Sequence, residues 1–372
     1  EIAQCLVGSE MCIRDSSFLV IPFLPGAVGM ALARLLGFGA LGCLYGGRIV
    51  NLLAYTLLCA LALAKAERYR PAFAAIMLLP MSLFMGSSLS YDATLLGCYY
   101  LMLALLTRKE WNTQTAGIYT AACIFVNIAK PYLNLLWVLP IFLVAKREWH
   151  AKGRRPLWAL GGIGGAMAVT LLTEWYGTAF RYNYPIIERQ GGSTVNGGEQ
   201  LAFVLRNPLR TIAAFWGTLG ENDFFIGQLG LFGWKDLPIS FLNLTGPLVL
   251  LLAALLAAAQ PKRADAFPTR RRVGGVALLA LVYAAGAMAA MYITYTPVGM
   301  VRIVGLQARY FLCVWLALLP ALAVLLRKTI RPAITEEKVE AAITPLCACY
   351  AVFGAVLLFQ HYFVGPVYVV YA

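Results

Sequence analysis

"SYDATLLGCYYLMLALLTRKEW", residues 90–111, decides the fold. From Ala93 to Leu106 no side chain carries a charge; Asp92 stands before the run, and Arg108 and Lys109 close it. An apolar stretch of this length, with flanks able to reach the interface, has the pattern of a membrane-spanning helix. The same pattern recurs on both sides of it. Runs and breakers predict ten spans, near 46–65, 71–88, 91–107, 112–129, 131–146, 156–176, 239–259, 273–295, 309–327 and 342–363. Residues 18–36 are apolar too, but Pro22, Pro25, Gly26 and Gly29 leave them either an eleventh span or a helix on the outer surface.

Composition agrees. The chain is 61% hydrophobic and 13% charged, with a mean hydropathy of +0.74, well outside the range of ordinary soluble domains. The expected fold is an all-α polytopic transmembrane helix bundle: one integral membrane domain, residues 17–372, with a long outer loop at 177–238. Residues 1–16, "EIAQCLVGSEMCIRDS", have no basic start followed by an apolar core, so they do not read as a signal peptide. "CLVGSEMCIRDS" resembles the translated sequencing-adapter leaders found in assembled environmental sequences, and the native chain is expected to begin further upstream.

The net charge of +13 raises the question of nucleic acid. Placement answers it. The loops "KAERYR", "TRKEW", "KREWHAKGRRP", "QPKRADAFPTRRR" and "RKTIRPAITEEKVE" hold 19 of the 30 basic residues and alternate with loops that are poor in them. The long 177–238 segment has five basic and five acidic residues, so it adds no bias. By the positive-inside rule the basic loops are cytoplasmic, which makes the charge a topology signal and leaves no nucleic-acid partner. The expected location is the bacterial cytoplasmic membrane, multi-pass, with 177–238 on the outer face. The nine cysteines show no paired spacing, and only His150 and His361 are present, which leaves little for a metal or redox centre. "GGIGGA" at 161–166 lies within a span and suits close helix packing.

Charges beside the hydrocarbon are costly and tend to face a cavity or a partner. Asp92 follows Ser90 at a helix start, where a serine caps free amides and an acid suits the helix dipole; the same carboxylate can face an outward cavity. Lys130, before Pro131, can snorkel to the interface or meet a phosphate. Arg309 and Tyr310 can anchor a span at headgroup level, while Arg302 and Arg309 together offer bidentate phosphate contacts. Gln307, Trp234 and Asp236 are candidate substrate contacts beside them. The acids of the long loop, Glu221, Asp223 and Asp236, read equally well as solvated surface groups, and a loop of that length suits a folded cap touching the interface.

Five segments, "LYGGRIVNLL" (44–53), "SSLSYDATLLGCYYLMLALL" (87–106), "KPYLNLLWVLPIFL" (130–143), "GQLGLFGWKDLP" (227–238) and "GLQARYFLCVWLALLP" (305–320), resemble in their order the bacterial membrane proteins of domain-of-unknown-function family 2142. The resemblance runs from about residue 18 to the C-terminal span. That family looks like a relative of the GT-C glycosyltransferases, which move a sugar from a polyprenyl-phosphate carrier on the outer face to an envelope glycan or lipid. The resemblance therefore implies a lipid-linked sugar donor and a glycan or lipid acceptor. Lys130, Arg302 and Arg309 would stand at the lipid phosphate, Gln307, Tyr310, Trp234 and Asp236 at the substrate, and Asp92 would be a catalytic carboxylate holding the acceptor or a divalent cation. It also implies an acidic motif after a first span, which this chain lacks, so none of its residues is assigned as the catalytic base. Two other readings stand beside it: a transporter or flippase of lipid-linked saccharides, which internal repeats and paired interrupted helices would mark, and a non-catalytic partner in an envelope-assembly complex.

Overall fold

A computed structural model describes residues 21–129, 137–144, 146–180, 195–220, 231–232, 237–238, 242, 245–246, 248–249, 251–252, 255, 270–306, 311–326 and 336–360. It is an all-α membrane helix bundle. A 3-10 turn, Ile21–Phe23, leads into α1 (Leu24–Leu35), followed by α2 (Ala40–Lys65), α3 (Arg70–Met77), α4 (Pro80–Gly86), α5 (Asp92–Leu105) and α6 (Thr113–Ala129). Then come α7 (Leu139–Leu143), α8 (Arg155–Phe180), α9 (Gly197–Arg206), α10 (Pro208–Leu219), α11 (Arg270–Thr294), α12 (Leu312–Leu326) and α13 (Glu336–Phe359). Leu231–Phe232 and Leu237–Pro238 pair as a two-residue antiparallel ribbon.

Ala40–Lys65 and Val273–Ile293 are long and apolar enough to cross a membrane, and shorter apolar helices at Ile21–Leu35, Asp92–Leu105, Pro156–Val169, Val314–Leu326 and Pro345–Phe359 accompany them. α2 is apolar all round, so hydropathy does not orient it; small and polar residues do. Gly47, Asn51, Tyr55, Cys59 and Ala62 are buried, whereas Leu41, Tyr45, Ile49, Leu53, Leu57 and Leu61, four apart on the other face, are exposed. An exposed ridge of this kind suits acyl chains, and the buried face admits close helix packing.

α1 and α2 form an antiparallel hairpin turned at Gly37, whose φ of 80° is the left-handed conformation that glycine adopts freely. A Cβ on Gly29 would lie 2.3 Å from the Gly46 carbonyl oxygen, so only glycine lets the two backbones approach this closely. At 12 residues, α1 extends about 18 Å, short of a hydrocarbon core of about 30 Å. It lies along α2 rather than crossing alone.

α5 is the centre. All of its residues from Asp92 to Leu105 are buried, as befits a helix that is hydrophobic on every side, and it packs against α2, α4, α6 and α12. The sequence predicts one continuous span at 71–88; the structure breaks it into α3 and α4. Pro80 has no amide hydrogen to continue the ladder, and Leu79 before it is extended, with ψ of 136°. Two side chains satisfy the carbonyls freed at the break. The Tyr55 hydroxyl donates to Met77 O at 2.7 Å and the Ser82 hydroxyl to Ile76 O at 2.9 Å, as apolar surroundings demand. α13 closes over this break, with Gly354 set against Pro80.

Three of the basic loops meet at one end of the bundle. Arg68 pairs with Glu148 at 3.0 Å, and Arg108 lies 3.5 Å from Glu67. Glu67 also accepts the Lys109 amide at 2.9 Å. Trp111 stacks on Trp149 with centroids 5.9 Å apart, beside backbone bonds from Trp111 N to Glu148 O and from His150 N to Trp111 O. These loops, 66–70, 107–112 and 146–153, are ones that charge alternation places on a single side. Predicted span 131–146 is described only in part, through α7, and 239–259 only at isolated positions.

Candidate functional site

Asp92 opens α5 at the end of the bundle away from the basic corner. Tyr91 holds the N-cap position, and the expected serine partner is there: Ser90 Oγ accepts the Asp92 amide at 3.2 Å and donates to Asp92 Oδ2 at 2.9 Å. A single hydroxyl therefore fixes both the backbone and the carboxylate. Ser88 Oγ sits 2.7 Å from Ser90 Oγ and donates to Met85 O at 2.7 Å.

Two residues of α2 complete the cluster. Asn51 Nδ2 donates to Ser88 O at 2.6 Å and to Ser90 O at 3.3 Å, and Arg48 Nε donates to Ser87 O at 3.1 Å. They stand three residues apart in "GGRIVN", one turn on the same face of an apolar helix. That spacing was the available signal for them. α1 walls the cluster from the other side, with Gly26 directly against the Asn51 amide. Thr94 Oγ1 lies within 3.1 Å of Pro22 O and 3.0 Å of Tyr91 O, and Phe23 meets Tyr91 edge to face at 5.7 Å, tying the 3-10 turn to the start of α5.

Depth is the unexpected feature. Asp92 is only 6% exposed, and Asn51 2%. Arg48 and Asn51 lie eight and eleven residues beyond Ala40 at the start of α2, about 12–17 Å along its axis. The tip of the hairpin above them is apolar and exposed at Leu35, Leu36, Phe38 and Leu41. The carboxylate is thus at a helix end yet covered by protein, below a greasy rim. A buried polar network of this kind holds its members in one arrangement.

The other sequence-derived candidates divide. Arg302 is exposed, in the turn after Gly299. Its loop is fastened from below: Ile303 N donates to Thr218 Oγ1 at 2.9 Å, Gly299 N to Gln200 Oε1 at 3.0 Å, Val304 N to Thr296 Oγ1 at 3.1 Å, and Tyr292 hydroxyl to Met300 O at 2.8 Å. Among the described residues no hydrogen bond or ion pair joins Arg302 to Asp92. Lys130, Trp234, Asp236, Gln307, Arg309 and Tyr310 lie outside the described residues. No group of three His, Cys, Asp or Glu side chains converges among the described residues. Asp92 and Ser90 offer oxygen ligands of the kind a hard divalent cation takes, but they are two where such a cation takes about six or more.

No curated protein and no solved structure matches the chain. One family model does, "Predicted membrane protein (DUF2142)", over residues 13–318. The match covers the Asp92 cluster, the long loop and the start of α12, and it ends before α13, so the likeness stops short of the C-terminal span to which the sequence reading extended it. With most of its length inside that match, the chain belongs to the DUF2142 family of predicted membrane proteins.

Proposed function

We propose that this membrane protein is a GT-C-like glycosyltransferase that takes a sugar from a polyprenyl-phosphate carrier on the outer face of a bacterial cytoplasmic membrane and passes it to an envelope glycan or lipid. The observation that carries the reading is Asp92: a carboxylate covered by protein, fixed by Ser90, and set beside Arg48 and Asn51 at the end of the bundle opposite the basic loops. A charge at that depth is costly, and charges of this kind in membrane proteins tend to face a partner or a substrate path.

The chemistry follows from the substrate. The lipid tail stays in the bilayer, so the reacting phosphate must reach a site open both to lipid and to water. As the sugar–oxygen bond breaks, negative charge grows on the leaving phosphate, and cationic groups aimed there lower the barrier. Arg302, Arg309 and Lys130 take that role. Gln307, Tyr310, Trp234 and Asp236 contact the sugar or its acceptor. Asp92 orients the acceptor hydroxyl, and the base that removes its proton is not assigned. A divalent cation, held through Asp92 and Ser90, would add charge neutralisation at the phosphate.

A flippase reading draws on the break between α3 and α4, because interrupted helices often build transport sites. The freed carbonyls at that break already accept from Tyr55 and Ser82, so the break is satisfied within the protein without a substrate. The test is transfer itself: purified full-length protein in vesicles with a polyprenyl-phosphate-linked sugar and an acceptor. Sugar transfer lost in Arg309→Ala, with the protein still inserted and folded, supports the enzyme; flipping of the lipid without transfer overturns it.

A further inference from the structure

α9 and α10 turn several polar side chains toward the protein and their largest leucine, isoleucine and tryptophan side chains away from it. In a soluble cap, an amphipathic helix turns its apolar face to the protein and its polar face to water. Here Gln200, Thr211 and Thr218 face inward and are buried, with Gln200 and Thr218 holding the 296–304 loop through the amides of Gly299 and Ile303. The outward edge is apolar. Leu205 is 74% exposed, Leu209 80%, Ile212 63% and Trp216 77%, as open as Leu57 on the outward ridge of α2 at 69%. Leu209, Ile212 and Trp216 follow one another at helical spacing on α10, and Leu201 and Leu205 continue the edge along α9.

The edge does not stop at the helices. Val298, Met300 and Val301, in the loop they hold, are exposed as well, and that loop continues α11, whose Leu278 and Leu281 are outward and apolar. Arg206 and Arg210 are exposed beside the edge, the arrangement of a helix that lies in a bilayer interface with basic side chains at headgroup level.

We infer that α9 and α10 are a membrane-immersed pair: Leu205, Leu209, Ile212 and Trp216 enter the acyl region of the leaflet at their end of the bundle, and the buried Gln200 and Thr218 fasten the Arg302 loop to that pair. The occupant of the apolar edge is phospholipid. The loop that the pair holds extends the apolar surface with Val298, Met300 and Val301, and the exposed Arg206 and Arg210 flank it as basic side chains flank a helix lying in the interface. This seating does not depend on sugar transfer, and its test leaves that reading untouched.

The wild-type full chain is reconstituted in vesicles of phosphatidylcholine and phosphatidylglycerol carrying a trace of phosphatidylcholine with a photoactivatable diazirine in its acyl chain. After illumination and proteolysis, lipid adducts are mapped by mass spectrometry. The expected result is adducts on peptides covering 201–216 at a yield within about threefold of those covering Leu53 and Leu57 on α2. Adducts on the α2 peptides with none on 201–216 overturn the inference, because the edge would then face water or another protein. A second readout uses vesicles with dibrominated acyl chains: the fluorescence lost in Trp216→Phe should be the part that brominated lipid quenches, and a Trp216 signal quenched by aqueous iodide instead overturns it.

Discussion

α5 and the α9–α10 pair bury polar groups in opposite ways. α5 is apolar on all sides and has protein on all sides, so its one charge is confined to its first residue, where Ser90 and the cluster around Asn51 receive it. The outer pair turns Gln200, Thr211 and Thr218 toward the protein and leaves Leu205, Leu209, Ile212 and Trp216 outside. The difference teaches that in a membrane protein the inside is defined by what needs a hydrogen bond as well as by what avoids water, since acyl chains can cover leucine but cannot satisfy an amide.

The comparison can be broken at either region. The largest effect is expected at Asp92. Asp92→Asn keeps shape and the Ser90 contact but removes the charge that orients the acceptor, and transfer activity should fall about 10²-fold while insertion and folding, read by size exclusion and circular dichroism, stay unchanged; wild-type rates would reduce Asp92 to a capping residue. Next is Gly29→Leu. The added side chain meets the Gly46 backbone, and thermal unfolding in detergent should report a loss of about 1–3 kcal/mol or more. Asn51→Leu leaves Ser88 O and Ser90 O without their donor and should cost about 1–3 kcal/mol, with reduced activity because the Asp92 loop loosens. Thr218→Val, which strands the Ile303 amide, should cost about 1 kcal/mol and raise hydrogen exchange at 299–304 without disturbing 87–92. The mildest should be Arg108→Ala, at about 1 kcal/mol or less, since its pair with Glu67 is the more exposed of the two described pairs, at 25% and 32% of side-chain surface.

Much of the bundle was legible. The apolar runs place α5, α6, α8, α11 and α12 within about four residues of their observed ends, because each run stops at charges or breakers that a helix in lipid cannot absorb, whereas α2 begins at Ala40, six residues before the span read at 46–65. Three of the five basic loops that alternation groups together meet, at Arg68, Arg108 and Glu148; the other two lie mostly outside the described residues. The break at Leu79 was hidden because Pro80 inside an apolar run is often tolerated when neighbours repair the ladder, and the repair comes from Tyr55, Ser82 and Tyr100, which lie on other turns and other helices. At the candidate site the Ser90–Asp92 contact is local and was readable; the spacing of Arg48 and Asn51 marks one face of α2, but that this face meets the Ser87–Ser90 backbone about 40 residues on was not. The facing of α9 and α10 was unreadable for a further reason. A helix wheel gives two faces and does not say which solvent each one meets.

The corner built by Glu67, Arg68, Arg108, Glu148 and the stacked Trp111–Trp149 pair has a mechanical consequence. It rivets the chain at three junctions, between α2 and α3, between α5 and α6, and ahead of α8, at one end only. Helices pinned this way share one fixed pivot, so any relative displacement among them grows with distance from it and is largest toward the end where Asp92 lies.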